Sequence, residues 1–223
     1  MTKRLLAFSI ILSAVFPVAG IIFTAPILAQ TQTNEQAEAQ RLIDEGLQLF
    51  QQQTASSYQE AIKKWEAALP LWRKLGDKGM EAVTLLGIGR VYSNLGEKKQ
   101  ALDYFQQALP LSRALGDRRV EARTLDNIGG VYDALGEKKQ ALDYFQQALP
   151  LSRAVGDRRG EGTTLNNIGR VYDDLGEKKQ ALDYFQQALP LLRAVGDRGG
   201  EATILHNIGL VYDALGEKKQ ALD

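Results

Sequence analysis

The 223-residue chain contains no cysteine and a single histidine, His206. Without cysteine there is no disulfide, no thiolate metal ligand, no thiol nucleophile and no lipid anchor through a thiol. An imidazole metal site or an imidazole-based triad would have to be built on His206 alone. Net charge is missing as well: Lys plus Arg and Asp plus Glu number 27 each. No basic field exists to hold nucleic acid, and there is no acidic tail. The chain has no G-x-x-x-x-G-K-[ST] phosphate loop and no G-x-S-x-G nucleophile turn. "GIGRVY" at Gly87–Tyr92 lacks a third glycine and follows no strand. The adjacent carboxylates of "YDDLGE" at Tyr172–Glu177 lack the spaced ligands of a calcium loop. The expectation is a chain with no catalytic residue, no cofactor and no metal.

Charge is also absent from Leu5 to Ala29, a run preceded by Lys3 and Arg4. A basic start, an apolar stretch and a small residue before a polar segment make a secretory signal, cut after Ala29. The alternative is an uncleaved anchor, because 25 residues at roughly 1.5 Å each span a bilayer. In either case the remainder is expected to cross the membrane and to be periplasmic or extracellular. It would meet a membrane only if residues 5–29 stay attached. The Gln- and Thr-rich residues 30–35 read as a short flexible lead.

What the chain does have is repetition. "LGEKKQALDYFQQALPL" occurs unchanged at Leu95–Leu111, Leu135–Leu151 and Leu175–Leu191, and its first nine letters return at Leu215. The period is forty, and segments 121–160 and 161–200 differ at seven of forty places. Such a period means stacked supersecondary units. Each unit reads as two helices. Leu125, Ile128, Val131, Tyr132 and Leu135 form the apolar stripe of the first. Ala141, Leu142, Phe145, Ala148 and Leu149 form that of the second, with Tyr144 beside it. Gly136 suits the left-handed stop between them. Asp157 is placed to cap the next first helix, with Glu161 in its opening turn. Pro150 sits where the second helix either continues with a kink, to stop at Gly156, or ends at Leu149.

Leu125, Ile128, Gly129, Tyr132, Gly136, Ala141, Phe145 and Ala148 fall at the signature spacings of the tetratricopeptide repeat. The forty-residue unit resembles the variant of kinesin light chains and of many bacterial arrays. The resemblance implies an all-α fold, a right-handed α-solenoid of stacked helix-turn-helix units. The units are residues 81–120, 121–160, 161–200 and an incomplete 201–223, after a degenerate opening unit at 36–80. In that opening unit Gly46, Leu49, Ala61, Trp65 and Ala68 take signature places. From Gly46 to Ala61 is fifteen residues, against twelve from Gly129 to Ala141, so "QQTASSY" is expected to carry a three-residue insertion in the turn.

The first helices vary on one face. Leu86, Asp126, Asn166 and His206 share one place, and Arg90, Gly130, Arg170 and Leu210 another. In the resembling family these places line a concave groove that holds a partner's peptide. Asn127, Asn167 and Asn207 stand beside them, and a row of amides can pair with an extended backbone. The expectation is a non-catalytic scaffold for an unknown protein or peptide. Asn127, Asn167 and Asn207 would grip backbone. Arg90, Arg170, Asp126, Asp133, Asp173 and Asp213, with Asn166 and His206, would select side chains. The bland alternative is a solvated face free to drift. Lys138 and Lys139 read as the exposed start of a second helix rather than a docking patch. The final unit stops inside its second helix. It is expected to continue in a longer parent, of which this part would be the recognition arm, for instance ahead of a CHAT-type peptidase domain. The other expectations are a gene shortened by the duplication that made the repeats and self-association through the open end.

Overall fold

The computed structural model describes residues 24–217, with side chains from residue 30. Residues 1–23, which carry most of the signal or anchor reading, and 218–223, where the interrupted second helix of the last unit is expected, lie outside the described residues. Among those described there are nine helices and no strand. They are α1 (Thr24–Gln51), α2 (Ala55–Leu75), α3 (Lys78–Asn94), α4 (Lys98–Leu115), α5 (Arg118–Ala134), α6 (Lys138–Ala154), α7 (Arg158–Asp174), α8 (Lys178–Ala194) and α9 (Arg198–Ala214). Each odd helix from α1 to α7 pairs with the even helix after it, and each even helix packs on the next odd one. α3, α5, α7 and α9 also touch in succession, whereas no two even helices make comparable contact. Odd helices therefore crowd together on the inner wall of a solenoid, and even helices spread over its outside.

The pairing follows from glycine facing aromatic. An added Cβ on Gly89, Gly129 or Gly169 would fall 2.5, 2.7 or 2.6 Å from Phe105, Phe145 or Phe185. Each odd helix thus approaches its partner across a bare backbone, and the ring fills the space. Gly46 and Trp65 repeat the device in the opening unit, where the added atom would meet the indole at 2.2 Å. Leu125, Ile128, Val131, Ala141, Phe145 and Ala148 are all buried. Clusters run across unit boundaries: Ile128 and Val131 of α5 join Leu85, Phe105 and Ala108 of the preceding pair. No unit closes a core by itself, which is what makes a stack cooperative. Tyr132 stacks on Tyr144 with ring centres 5.4 Å apart, and the Tyr92–Tyr104 and Tyr172–Tyr184 pairs do the same. Arg73, Arg113, Arg153 and Arg193 at even-helix ends pair at 2.7–2.8 Å with Glu81, Glu121, Glu161 and Glu201 of the following odd helix.

The helix ends obey local chemistry. Asp157 accepts from the Gly160 amide at 3.0 Å, satisfying one of the orphan donors of the first turn. Gly136 takes φ +82 in the turn to α6, and the Glu137 amide closes on the Tyr132 carbonyl at 2.9 Å. The second helix continues through Pro150 to Ala154, so the reading that ends it at Leu149 is overturned. Pro150 is exposed, so its ring costs no packing there.

Three expectations are corrected. Residues 30–35 are not a flexible lead but part of α1, where Glu35 pairs with Lys74 of α2. Ala39 and Leu42, one and two turns on, bury against Ala68 and Trp72 and hold that helix down. Leu135 leaves the apolar stripe and is 47% exposed at the turn. The three extra residues of the opening unit do not lengthen its turn. Both turns have three residues, 52–54 and 135–137, and the insertion instead starts α2 one turn early. A reciprocal Thr54–Ser57 capping box seeds that added turn. Gln53 occupies the left-handed place of the turn glycine, at φ 54. Both tryptophans, Trp65 and Trp72, are buried in α2.

Candidate functional site

The inner wall encloses a groove of about 620 Å³ lined by α1, α3, α5 and α7, with Trp65 and Ser152 reaching in from even helices. Its character changes along its length. Toward α1 it is apolar, with Ile43, Leu47, Phe50, Trp65, Val83 and Leu86. Toward α7 it is polar, with Arg123, Asp126, Asn127, Asp157, Arg159, Thr163 and Thr164. Of the residues expected from the sequence, Arg90, Asp126 and Asn127 line this volume.

The asparagines form a ladder between neighbouring odd helices. The Asn207 amide donates to Asn166 Oδ1 at 3.0 Å. The Asn167 amide reaches both oxygens of Asp126 at 3.4 Å, and the Thr164 hydroxyl donates to Asp126 Oδ1 at 2.9 Å. At the α3–α5 step the place of Asp126 is taken by Leu86, which accepts nothing. The Asn127 amide turns back to the Arg123 carbonyl of its own helix at 2.6 Å. Each of the three amides thus donates within the protein, Asn127 to its own helix and Asn167 and Asn207 to the preceding odd helix.

Asp126 is held by α7 without a cation. Burial pushes its carboxyl up to about 6 against the hydrogen bonds from Thr164 and Asn167, which favour the charged form. The other charges pair internally. Arg123 reaches Asp157 at 3.3 Å, and Arg159 reaches Asp197 at 2.8 Å. Asp133 accepts from Lys138 at 2.7 Å and lies 3.6 Å from Arg170, while Asp173 accepts from Lys178 at 2.5 Å. Lys138 also bridges to Asp174 of the next unit. Asp133 and Asp173 thus tie odd helices to the first residues of the even helices that follow them. Asp213 and His206 are exposed on α9. Arg90 differs from all of these. Its guanidinium lies over the Phe50 ring at 5.2 Å, and burial there, with Arg123 nearby, lowers its pKa.

Sequence reasoning missed the apolar half of the groove. Ile43, Leu47 and Phe50 fall in the opening helix, at places where α3, α5 and α7 carry other letters. The available signal was the break in pattern at Leu86-Gly87, where later units carry Asp126-Asn127, Asn166-Asn167 and His206-Asn207. Among the described residues no group of three or more His, Asp or Glu could hold a metal. Among them, too, no helix is long and apolar enough to cross a membrane.

Residues 52–114, 100–154 and 120–194 match the tetratricopeptide repeat family, together more than half of the chain. No curated protein matches significantly. Solved structures share the fold. BtubC (BKLC) from P. vanneervenii is 17% identical, over 85% of this chain and 86% of its own, with a TM-score of 0.60. Kinesin-light-chain-type repeats from Podosopora anserina, nearly identical to one another, are 15% identical over 83% of this chain and 91% of theirs, with a TM-score of 0.65. A Rap protein complexed with Competence and Sporulation Factor is 19% identical over 88% of this chain, with a TM-score of 0.71. This chain spans 55% of that protein's length.

Proposed function

This chain belongs to the tetratricopeptide repeat family, and from that premise we propose that it is a non-catalytic scaffold holding an extended peptide or protein segment along its inner wall. The observation that carries the reading is the groove itself, about 620 Å³ of concave surface bounded by four successive odd helices. Concavity lets a strand of peptide touch several units at once, and Asn127, which lines this volume, brings an amide that suits backbone groups, with Asn167 and Asn207 continuing the row beyond it. The complex of the Rap protein with Competence and Sporulation Factor supports a binding role for this architecture. Export belongs to the same proposal, on the strength of Lys3, Arg4 and the uncharged run behind them.

The test is site-specific photocrosslinking in the native cell. A benzophenone side chain at Thr163, exposed in the groove, should give discrete adducts with a partner. The same group at Asp143, exposed on the outer helix α6, should give none of those bands. Adducts of equal yield at both positions would show that the inner wall is nothing special. Sequencing the N-terminus of the recovered chain distinguishes a start at Gln30 from retention of the apolar run.

A further inference from the structure

The groove's apolar end combines three features. First, the polar ladder is interrupted there. Leu86 stands where Asp126 and Asn166 stand, and Gly87 stands where Asn127, Asn167 and Asn207 stand. The missing side chain lets the buried Trp65 ring form the floor of the groove, and even a Cβ on Gly87 would come within 3.2 Å of it. Second, Leu47 and Val83 leave 48% and 42% of their surface exposed beside this opening, so apolar area remains available to a ligand. Third, Arg90 at its edge has no carboxylate partner among the described residues. Arg123 and Arg159, the other arginines of the groove, have Asp157 and Asp197. The Arg90 charge rests on the Phe50 face, in surroundings that disfavour it.

An apolar hollow beside an uncompensated cation complements an apolar group beside an anion. The groove runs on past this point to Thr163 and Arg159 of α7, so the occupant's chain has room to continue beyond its anchor. We propose that the atypical opening unit is the anchor site of the groove: its hollow takes one bulky apolar side chain of an extended peptide, and Arg90 takes an acidic side chain next to it. This rests on the concave-groove reading and adds where recognition is concentrated. The near-identical units then serve mainly as the wall along which the rest of the peptide lies.

The probe is an immobilised array of twelve-residue peptides, randomised except for a central Leu, Phe or Trp followed by Asp, Lys or Ser. Each is made with a free and an amidated C-terminus, and the array is incubated with the full chain. Binding should favour Asp over Lys by about tenfold, as pairing with a guanidinium that has no other carboxylate allows. Amidation should change nothing, and sensitivity to amidation would instead assign Arg90 to a terminal carboxylate. Gly87→Asn installs the residue that α5, α7 and α9 already carry, and should cut binding of all apolar-centred peptides about tenfold by filling the hollow. Leu47→Ser, at an exposed position, should weaken the same peptides without threatening the fold. Arg90→Gln should abolish the Asp preference while keeping the apolar one. Equal binding by wild type, Gly87→Asn and Leu47→Ser would overturn the anchor. If Thr163→Trp, farther along the wall, still blocks those peptides, the groove reading survives that result. If it does not, both fall.

Discussion

Asp126 shows how a single letter sets a local energy. The folded chain holds its carboxyl at about 6, against an ordinary 3.8, so the folded state grips the proton more tightly than the unfolded one. Its contribution to stability is complete below about pH 4 and is lost as the pH rises through 6. Asp126→Asn copies Asn166 of the next unit and carries no charge. It should raise stability at pH 7.5 by about 2 kcal/mol and make no difference at pH 4, as read from urea unfolding at the two values. A gain of equal size at both would mean that burial of charge is not the cause. Gly129 gives the opposite kind of prediction. Its missing Cβ is where the Phe145 ring sits, 2.7 Å from the added atom, so Gly129→Ala should cost about 1–3 kcal/mol by overpacking despite alanine's better helix propensity. Stability at or above wild type would show that the ring has room to yield. The Gly129–Phe145 relation could be read from the repeat. The Asp126–Asn167 bond could not, because it joins places 41 residues apart that reveal themselves only when two helices are laid side by side.

Among the elements, the second helices are the ones whose sequence argues against itself. α4, α6 and α8 each run through a proline at 110, 150 or 190. A proline there removes one backbone donor and crowds the preceding turn. Because Pro150 is exposed, Pro150→Ala should restore the bond to the Gln146 carbonyl with no loss of packing. The urea midpoint should rise by the equivalent of about 1–2 kcal/mol. No rise would mean that the proline's rigidity in the unfolded chain offsets the missing bond. Helix identity was legible here from apolar spacing, and the caps from Asp157 and Gly136. The place of the three extra residues in the opening unit was not. Counting from Gly46 to Ala61 gives the number but cannot say whether it enters a turn or a helix. The capping box at Thr54 and Ser57 decided it.

At the scale of the molecule, stability is a sum over neighbours. Each unit shares its core with the next, so removing residues 121–160 leaves α4 facing α7, whose buried letters match those of α5 except for Gly162 in the place of Ala122. The shortened chain should fold with unchanged helicity per residue. Its urea m-value should fall by about the share of surface removed. Loss of helicity well beyond the deleted segment would mean that the units are not interchangeable. The solenoid was legible in the forty-residue period and the family signature. The groove's division into an apolar and a polar end was not, since the apolar end is built largely by α1, the one odd helix with no copy.

That same asymmetry has a spectroscopic consequence. Both indoles lie in α2, while the stacked tyrosine pairs recur from unit to unit. Red-edge excitation therefore lights only the first unit, whereas far-ultraviolet dichroism averages over the whole rod. If the first unit opens ahead of the rest, emission will shift at a lower denaturant concentration than ellipticity. Coincident curves would mean that the stack comes apart as one body.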